Sequence, residues 1–233
     1  MSTDRLVDSS PRRAGMRRPL ALAATGLTVD FAERRALDAV DLALVPGSFT
    51  ALTGPSGAGK TTLLWVLAGA LTPSSGTIAY AGARLTDRVA FAREGVVLIP
   101  QGVTLVAPLT ARENILVALL MLGVAADDAR ARTDTALQAV QLTDSGNHLV
   151  EELSGGQQQR VAVAQGLALA ARVLLADEPT SELDATTRET IIGLLRAEAD
   201  AGALVLLATH DAWCADEAEA EYHLDEGRLS RVR

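Results

Sequence analysis

Four short apolar runs constrain the fold of this 233-residue chain more than any other feature. They are Phe49–Thr53, Val96–Pro100, Val173–Ala176 and Ala203–Ala208. Each is near-continuously apolar rather than alternating. A strand of that kind is buried on both faces, which places it in a parallel sheet with helices on either side. Helical spacing fills the gaps at Lys60–Ala70, Ala111–Leu122, Asp127–Leu142, Gly156–Ala171 and Ala185–Asp200. The alternation predicts an α/β fold with a parallel core. From Leu20 to Phe49 the pattern is instead short and alternating, with turns at Ala32–Arg35 and Pro46-Gly47. That stretch predicts antiparallel strands, and Gly76–Gly82 predicts another.

The residues at the end of each run point to chemistry. The first run leads into "GPSGAGKTT", the second ends at Gln101, the third at Asp177-Glu178 and the fourth at Thr209-His210-Asp211. Open α/β sheets bind ligands outside the carboxyl ends of their strands. A purely structural sheet has no need to deliver a polar residue to that edge four times.

Gly54-Pro55-Ser56-Gly57-Ala58-Gly59-Lys60-Thr61 fits the phosphate-loop pattern G-x-x-x-x-G-K-[ST] at every fixed position, and Thr62 comes next. Its glycines let backbone N–H groups turn onto phosphates, Lys60 would reach β- and γ-phosphates, and the Thr61 hydroxyl would bind Mg²⁺. The chain has twenty Arg and this single Lys, so the site asks for a compact ammonium. "RVLLADEPT" ends a strand in Asp177, a carboxylate suited to Mg²⁺ at the sheet edge. Glu178 is redundant as a metal ligand but suits a general base for attacking water; an acidic helix start before Pro179 is the competing reading. Gln101 alone reads as a loop residue and His210 as a structural histidine. Beside a phosphate loop, Gln101 is placed for Mg²⁺ and the attacking water, and His210 for the γ-phosphate.

A second cradle occurs at "LSGGQQQR", Leu153–Arg160. Ser154, Gly155 and the helix N-terminus after them, with Gly156 and Gln157, offer donors and a dipole, but no Lys. The chain's own nucleotide already fills the lysine-bearing loop. The second cradle therefore predicts contact with a phosphate bound by another subunit, with Ser154 of one chain facing Lys60 of the other.

Composition narrows the partners. A net charge of −8 and a pI near 4.9 argue against a nucleic-acid partner. Cys214 is the single cysteine, so no internal disulfide forms, and His148, His210 and His223 lack metal-ligand spacing. The longest apolar run, Ile115–Ala126, is roughly half of what a bilayer needs. Residues 1–18 read as a disordered Arg-rich tail, with a secretory or twin-arginine signal as the alternative, and residues 19–233 as one domain.

With "GPSGAGKTT", "LSGGQQQR", "LLADEPTSELD" and "ATHD" in this order, the chain resembles the nucleotide-binding subunit of ABC transporters, from about Leu20 to Leu229. The resemblance implies a P-loop ATPase whose parallel core carries an antiparallel β subdomain and a helical lobe at about 86–165. It makes Gln101 the Q-loop, Leu153–Gln157 the signature, Ser181–Asp184 the D-loop with Asp184 at the nucleotide, and His210 the switch histidine. Phe31 falls where the family stacks an aromatic on adenine, with a core phenylalanine as the competing reading. Gln165-Gly166 stands where Arg-Ala is commoner, and Glu182 where a small residue is commoner. Two subunits, identical or homologous, would close head-to-tail around two ATP. A transmembrane permease on a separate chain would place the subunit on the cytoplasmic face of the membrane. "LTARENI" and "ADEPT" look most like the lipoprotein-releasing and macrolide-export branch. An importer-type ATPase subunit and a soluble non-transport ABC ATPase are the alternatives.

Overall fold

The computed structural model describes residues 21–32, 34–102 and 104–233. The tail reading at 1–18 lies outside them. In chain order the strands are β1 (Leu22–Phe31), β2 (Arg34–Leu44), β3 (Phe49–Thr53), β4 (Ser75–Tyr80), β5 (Ala83–Leu85), β6 (Val96–Ile99), β7 (Val173–Asp177), β8 (Leu204–Ala208), β9 (Ala220–Asp225) and β10 (Arg228–Arg231). The helices are α1 (Lys60–Leu67), α2 (Arg88–Arg93), α3 (Ala111–Met121), α4 (Ala126–Ala139), α5 (Gly155–Ala168), α6 (Ala185–Asp200) and α7 (Ala212–Asp216).

Two sheets result. One has the order β2-β1-β4-β5 and is antiparallel throughout. The other has the order β10-β9-β3-β8-β7-β6, and its β9-β3-β8-β7-β6 portion is parallel. The four apolar runs are β3, β6, β7 and β8. Their pattern has a direct physical cause, because successive residues of a strand point to opposite faces. Val173 and Leu175 of β7 enter one apolar cluster while Leu174 and Ala176 enter the other. Leu204 and Leu206 of β8 likewise oppose Val205 and Leu207. With both faces dry, a polar side chain on these strands carries a desolvation cost unless it is partnered, and Asp177 at the end of β7 is the exception.

The first cluster, with Leu52 and Leu64, fills the space between the parallel sheet, α1 and the antiparallel sheet. The second, with Ile115, Leu137, Val161 and Ile191, joins the other face to α3, α4, α5 and α6. Within the span 86–165, β6 is the outer strand of the parallel sheet, and α3, α4 and α5 pack on one another as a helical layer. Thr110 starts α3 with a capping box: its hydroxyl accepts from the Glu113 N–H, and Glu113 accepts from the Thr110 N–H. The short α2 and α7 carry no sequence periodicity of their own. Each starts at an aspartate, Asp87 or Asp211, that accepts a first-turn N–H.

Candidate active site

The parallel pairing of β3, β8, β7 and β6 brings all four carboxyl ends to one edge. A cavity of about 490 Å³ opens there. Ser56, Gly57, Gly59, Lys60, Thr61 and Thr62 line it from the loop after β3. Gln101, Asp177, Glu178 and His210 line it from the ends of β6, β7 and β8, and Phe31, Arg34 and Ala36 complete the wall.

The cradle is shaped by what glycine permits. Gly59 has φ 110, and a Cβ there would lie 2.5 Å from the Ala36 carbonyl oxygen. No other residue fits so close to backbone in that conformation. Gly59 is also the residue that starts α1, which has no capping side chain and no acid in its first turn. The N–H groups of that turn, and the helix dipole, stay available to an anion. Lys60 is nearly buried, and its ammonium donates to the carbonyls of Gly54 at 2.7 Å and Pro55 at 3.2 Å. Gly54, Pro55 and Ala58 thus serve the loop from behind: two carbonyls hold Lys60, and Ala58 is buried in the core.

Asp177 is 1% exposed, and neither carboxylate oxygen has a hydrogen-bond partner. Burial pushes its carboxyl up, Thr61 pulls it down, neighbouring Glu178 pushes it up again and Lys60 pulls it down. A buried acid left without partners fits a cation held jointly with the Thr61 hydroxyl. Gln101 lines the same cavity from the end of β6.

Glu178 is also buried, but its backbone sits at φ 48, in the left-handed region. That conformation costs a non-glycine residue about 1–2 kcal/mol. Its N–H donates to the Ala208 carbonyl at 2.9 Å, which ties the end of β7 to the end of β8. Its Oε1 lies 2.9 Å from Nδ1 of His210. The next residue, Asp211, pairs with Arg188 of α6 at 2.6 Å, and the Arg188 guanidinium lies 5.3 Å from the centre of the Trp213 ring.

Phe31 is 46% exposed at the cavity wall, which removes the core-phenylalanine reading. Arg34 is a site residue that the sequence did not single out. Its guanidinium donates to the Gly57 carbonyl at 2.5 Å, so it braces the phosphate loop from β2. The one available signal was its place three residues after Phe31.

The second cradle lies elsewhere. Ser154, Gly155, Gly156, Gln157 and Asp184 do not line this cavity. Ser154 starts α5 in a capping box: its hydroxyl accepts from Gln157 N–H at 3.3 Å, and Gln157 Oε1 accepts from Ser154 N–H at 2.9 Å. Asp184 starts α6 and accepts from the backbone N–H and hydroxyl of Thr187, which hold its carboxyl below its usual range.

A sequence model of the ABC transporter family matches residues 37–181, more than half of the chain. The chain belongs to the ABC transporter ATP-binding family. An uncharacterised ABC transporter ATP-binding protein of Mycobacterium tuberculosis is 42% identical over 182 residues, covering 76% of this chain and 55% of that protein. The chain thus spans about half the length of the first curated relatives it matches. The cell division ATP-binding protein FtsE of Escherichia coli is 41% identical, with 76% and 82% covered. A lipoprotein-releasing system ATP-binding protein, LolD 1 of Rhodopirellula baltica, is 37% identical, with 84% and 88% covered. Among solved structures, the cassette MJ0796 in a dimeric post-hydrolysis state bound to ADP and Pi superposes with a TM-score of 0.83 at 30% identity, covering 91% of this chain and 99% of that one.

The two departures from commoner ABC sequences have local causes. A Cβ at Gly166 would lie 2.6 Å from Ile99 Cγ1, so α5 seats directly on β6, two residues before Gln101. Gln165 donates to the Asn114 carbonyl at 3.1 Å, fastening α5 to α3. Glu182 lies against Gly155 through its side-chain carboxylate and against Gly156 through its backbone, where a Cβ would lie 2.9 Å from the carbonyl oxygen.

Proposed function

We propose that this chain hydrolyses ATP as the motor subunit of an ABC transporter and drives a permease carried on a separate chain at the cytoplasmic face of the membrane. The supporting observation is the convergence of Lys60, Thr61, Gln101, Asp177, Glu178 and His210 on one cavity from four parallel strand ends. Thr61, Asp177 and Gln101 would hold Mg²⁺, which supplies charge neutralisation on the phosphates. Lys60 and the first turn of α1 bind the β- and γ-phosphates, and Phe31 stacks on the adenine. Glu178 accepts the proton of water as its oxygen bonds to the γ-phosphorus. The bond from that phosphorus to the bridging oxygen breaks, and its electron pair leaves with ADP. His210 orients the γ-phosphate beside Glu178.

Two subunits close head-to-tail in this reading. Ser154, Gly155, Gly156, Gln157 and Asp184 then meet the nucleotide held by the opposite subunit, which accounts for their distance from their own cavity. The partner subunit is a second copy or a homologue. Among the described residues no helix is long and apolar enough to cross a membrane, so the reading puts the membrane path on another chain. The likeness to LolD favours export or mechanotransmission over import. Co-expression with the membrane proteins encoded beside it tests this. Co-purification and an ATPase rate that changes in the complex are expected; a chain that stays alone sinks the transporter reading.

A further inference from the structure

One side chain joins the second cradle to Glu178 of the same subunit, and it is not among the residues that line the cavity. Gln159 lies on α5, five residues after Ser154. Its Nε2 donates to the Glu178 backbone carbonyl at 2.6 Å and approaches the Ser181 hydroxyl at 3.4 Å. Its Oε1 accepts from the Glu182 N–H at 3.1 Å. Both ends of one amide are therefore committed to residues 178–182, the segment from the end of β7 to the start of α6.

The position of that carbonyl is unusual. Glu178 sits at φ 48, so its peptide is turned away from the path of β7 and the sheet offers its carbonyl no ladder partner. Instead it accepts from the Ser181 N–H at 3.3 Å and, more closely, from Gln159 at 2.6 Å. The contact is close at Gly156, where a Cβ would lie 2.9 Å from the Glu182 carbonyl oxygen. A shift of α5 would therefore bear on the 178–182 backbone through both the Gln159 amide and Gly156. The carboxylate of Glu178 would move relative to the cavity and to His210, 2.9 Å away.

We propose that Gln159 is a positioning residue: it holds Glu178 in its strained conformation and couples its placement to nucleotide contact at Ser154. The proposal rests on the head-to-tail dimer, in which Ser154 touches the opposite subunit's nucleotide. Each subunit would then set its own general base according to whether the opposite site is filled. A misplaced reacting group costs up to about a hundredfold in rate, so the effect is measurable.

The experiment uses the full chain and compares Gln159→Leu, Gln159→Lys and Gln159→Glu by steady-state ATPase kinetics. Leu removes both hydrogen bonds at similar size. Lys keeps a donor toward the Glu178 carbonyl, and Glu keeps only an acceptor toward the Glu182 N–H. The expected result is a kcat lowered about tenfold in Leu and Glu with KM for ATP little changed, and most of that loss recovered in Lys. The Lys and Glu pair keeps the test decisive if Leu fails to fold. Equal kcat in Lys and Glu, or a loss confined to KM, overturns the positioning role. For the coupling, Ser154→Ala and Gln159→Leu are combined; a double variant no slower than the slower single is expected, and additive losses overturn it. An inactive wild-type protein would sink the ATPase reading instead, whereas an active wild type with unaffected Gln159 variants sinks only this proposal.

Discussion

His210 and Glu178 meet at 2.9 Å, and they meet asymmetrically: the histidine side chain is 70% exposed and the carboxylate 8%. The buried acid is fixed by its backbone bond to Ala208, while the histidine reaches it from the solvent side. Removing the proton acceptor should stop chemistry without disturbing the phosphate loop. Glu178→Gln is expected to keep ATP affinity and lose about 10²–10⁴-fold in kcat. ATP-bound dimers should accumulate on gel filtration. Undiminished turnover would remove Glu178 from the role of general base.

Asp177 gives a prediction in which stability and function oppose each other. Burial raises its carboxyl above 3.8. The folded chain therefore retains a proton that the unfolded chain has released. This group favours folding at low pH, and that advantage is lost as pH rises from 3.8 through the raised value. In its ionised form the buried carboxylate has no hydrogen-bond partner on either oxygen. Asp177→Asn should stabilise the nucleotide-free protein by about 1–3 kcal/mol while abolishing Mg²⁺-dependent hydrolysis. Thermal melts at neutral and acid pH check it, and the gain should shrink in acid.

The Arg188–Asp211 pair, stacked by Trp213, anchors the residue next to His210 to α6. Arg188→Ala should loosen that turn and lower kcat by about tenfold at unchanged ATP affinity, as expected when a reacting group is misplaced. Arg188→Lys should restore little, because an ammonium cannot both pair with Asp211 and stack in the same plane. Equal kcat in all three proteins would detach the pair from catalysis.

Gly166→Ala tests the seat of α5. Alanine improves helix propensity by up to about 1 kcal/mol. Its Cβ, however, would meet Ile99 at 2.6 Å. Overpacking of that kind costs about 1–3 kcal/mol, so net destabilisation is expected in urea denaturation. Ile99→Ala, which removes both facing atoms, should cost less stability in the Gly166→Ala background than it does alone.

Phe31→Ala should weaken ATP binding by about tenfold, within the range for stacking an aromatic on a base. Phe31→Tyr should bind normally. Fluorescent-nucleotide titration separates this from an effect on turnover.

The parallel core is legible in the amino-acid order alone, because strands dry on both faces must be written as unbroken apolar runs. So are the glycine-rich loop after β3 and Asp177, because polar residues that end an apolar run stand out in the sequence, and the fold brings both to one cavity. The order of strands is not legible there: β8 lies between β3 and β7 in the sheet, although β7 precedes it in the chain. Nor are the roles of Arg34 and Gln159, whose partners Gly57 and Glu178 are 23 and 19 residues away. A hydrogen bond to a distant carbonyl leaves no periodic trace in a chain. Gly166 reads as a weak helix residue and proves to be the space into which Ile99 fits. Local pattern records which faces are dry and which residue types a ligand needs. The choice of side chains that hold those residues in place belongs to the packed fold, because it depends on which distant segments approach one another.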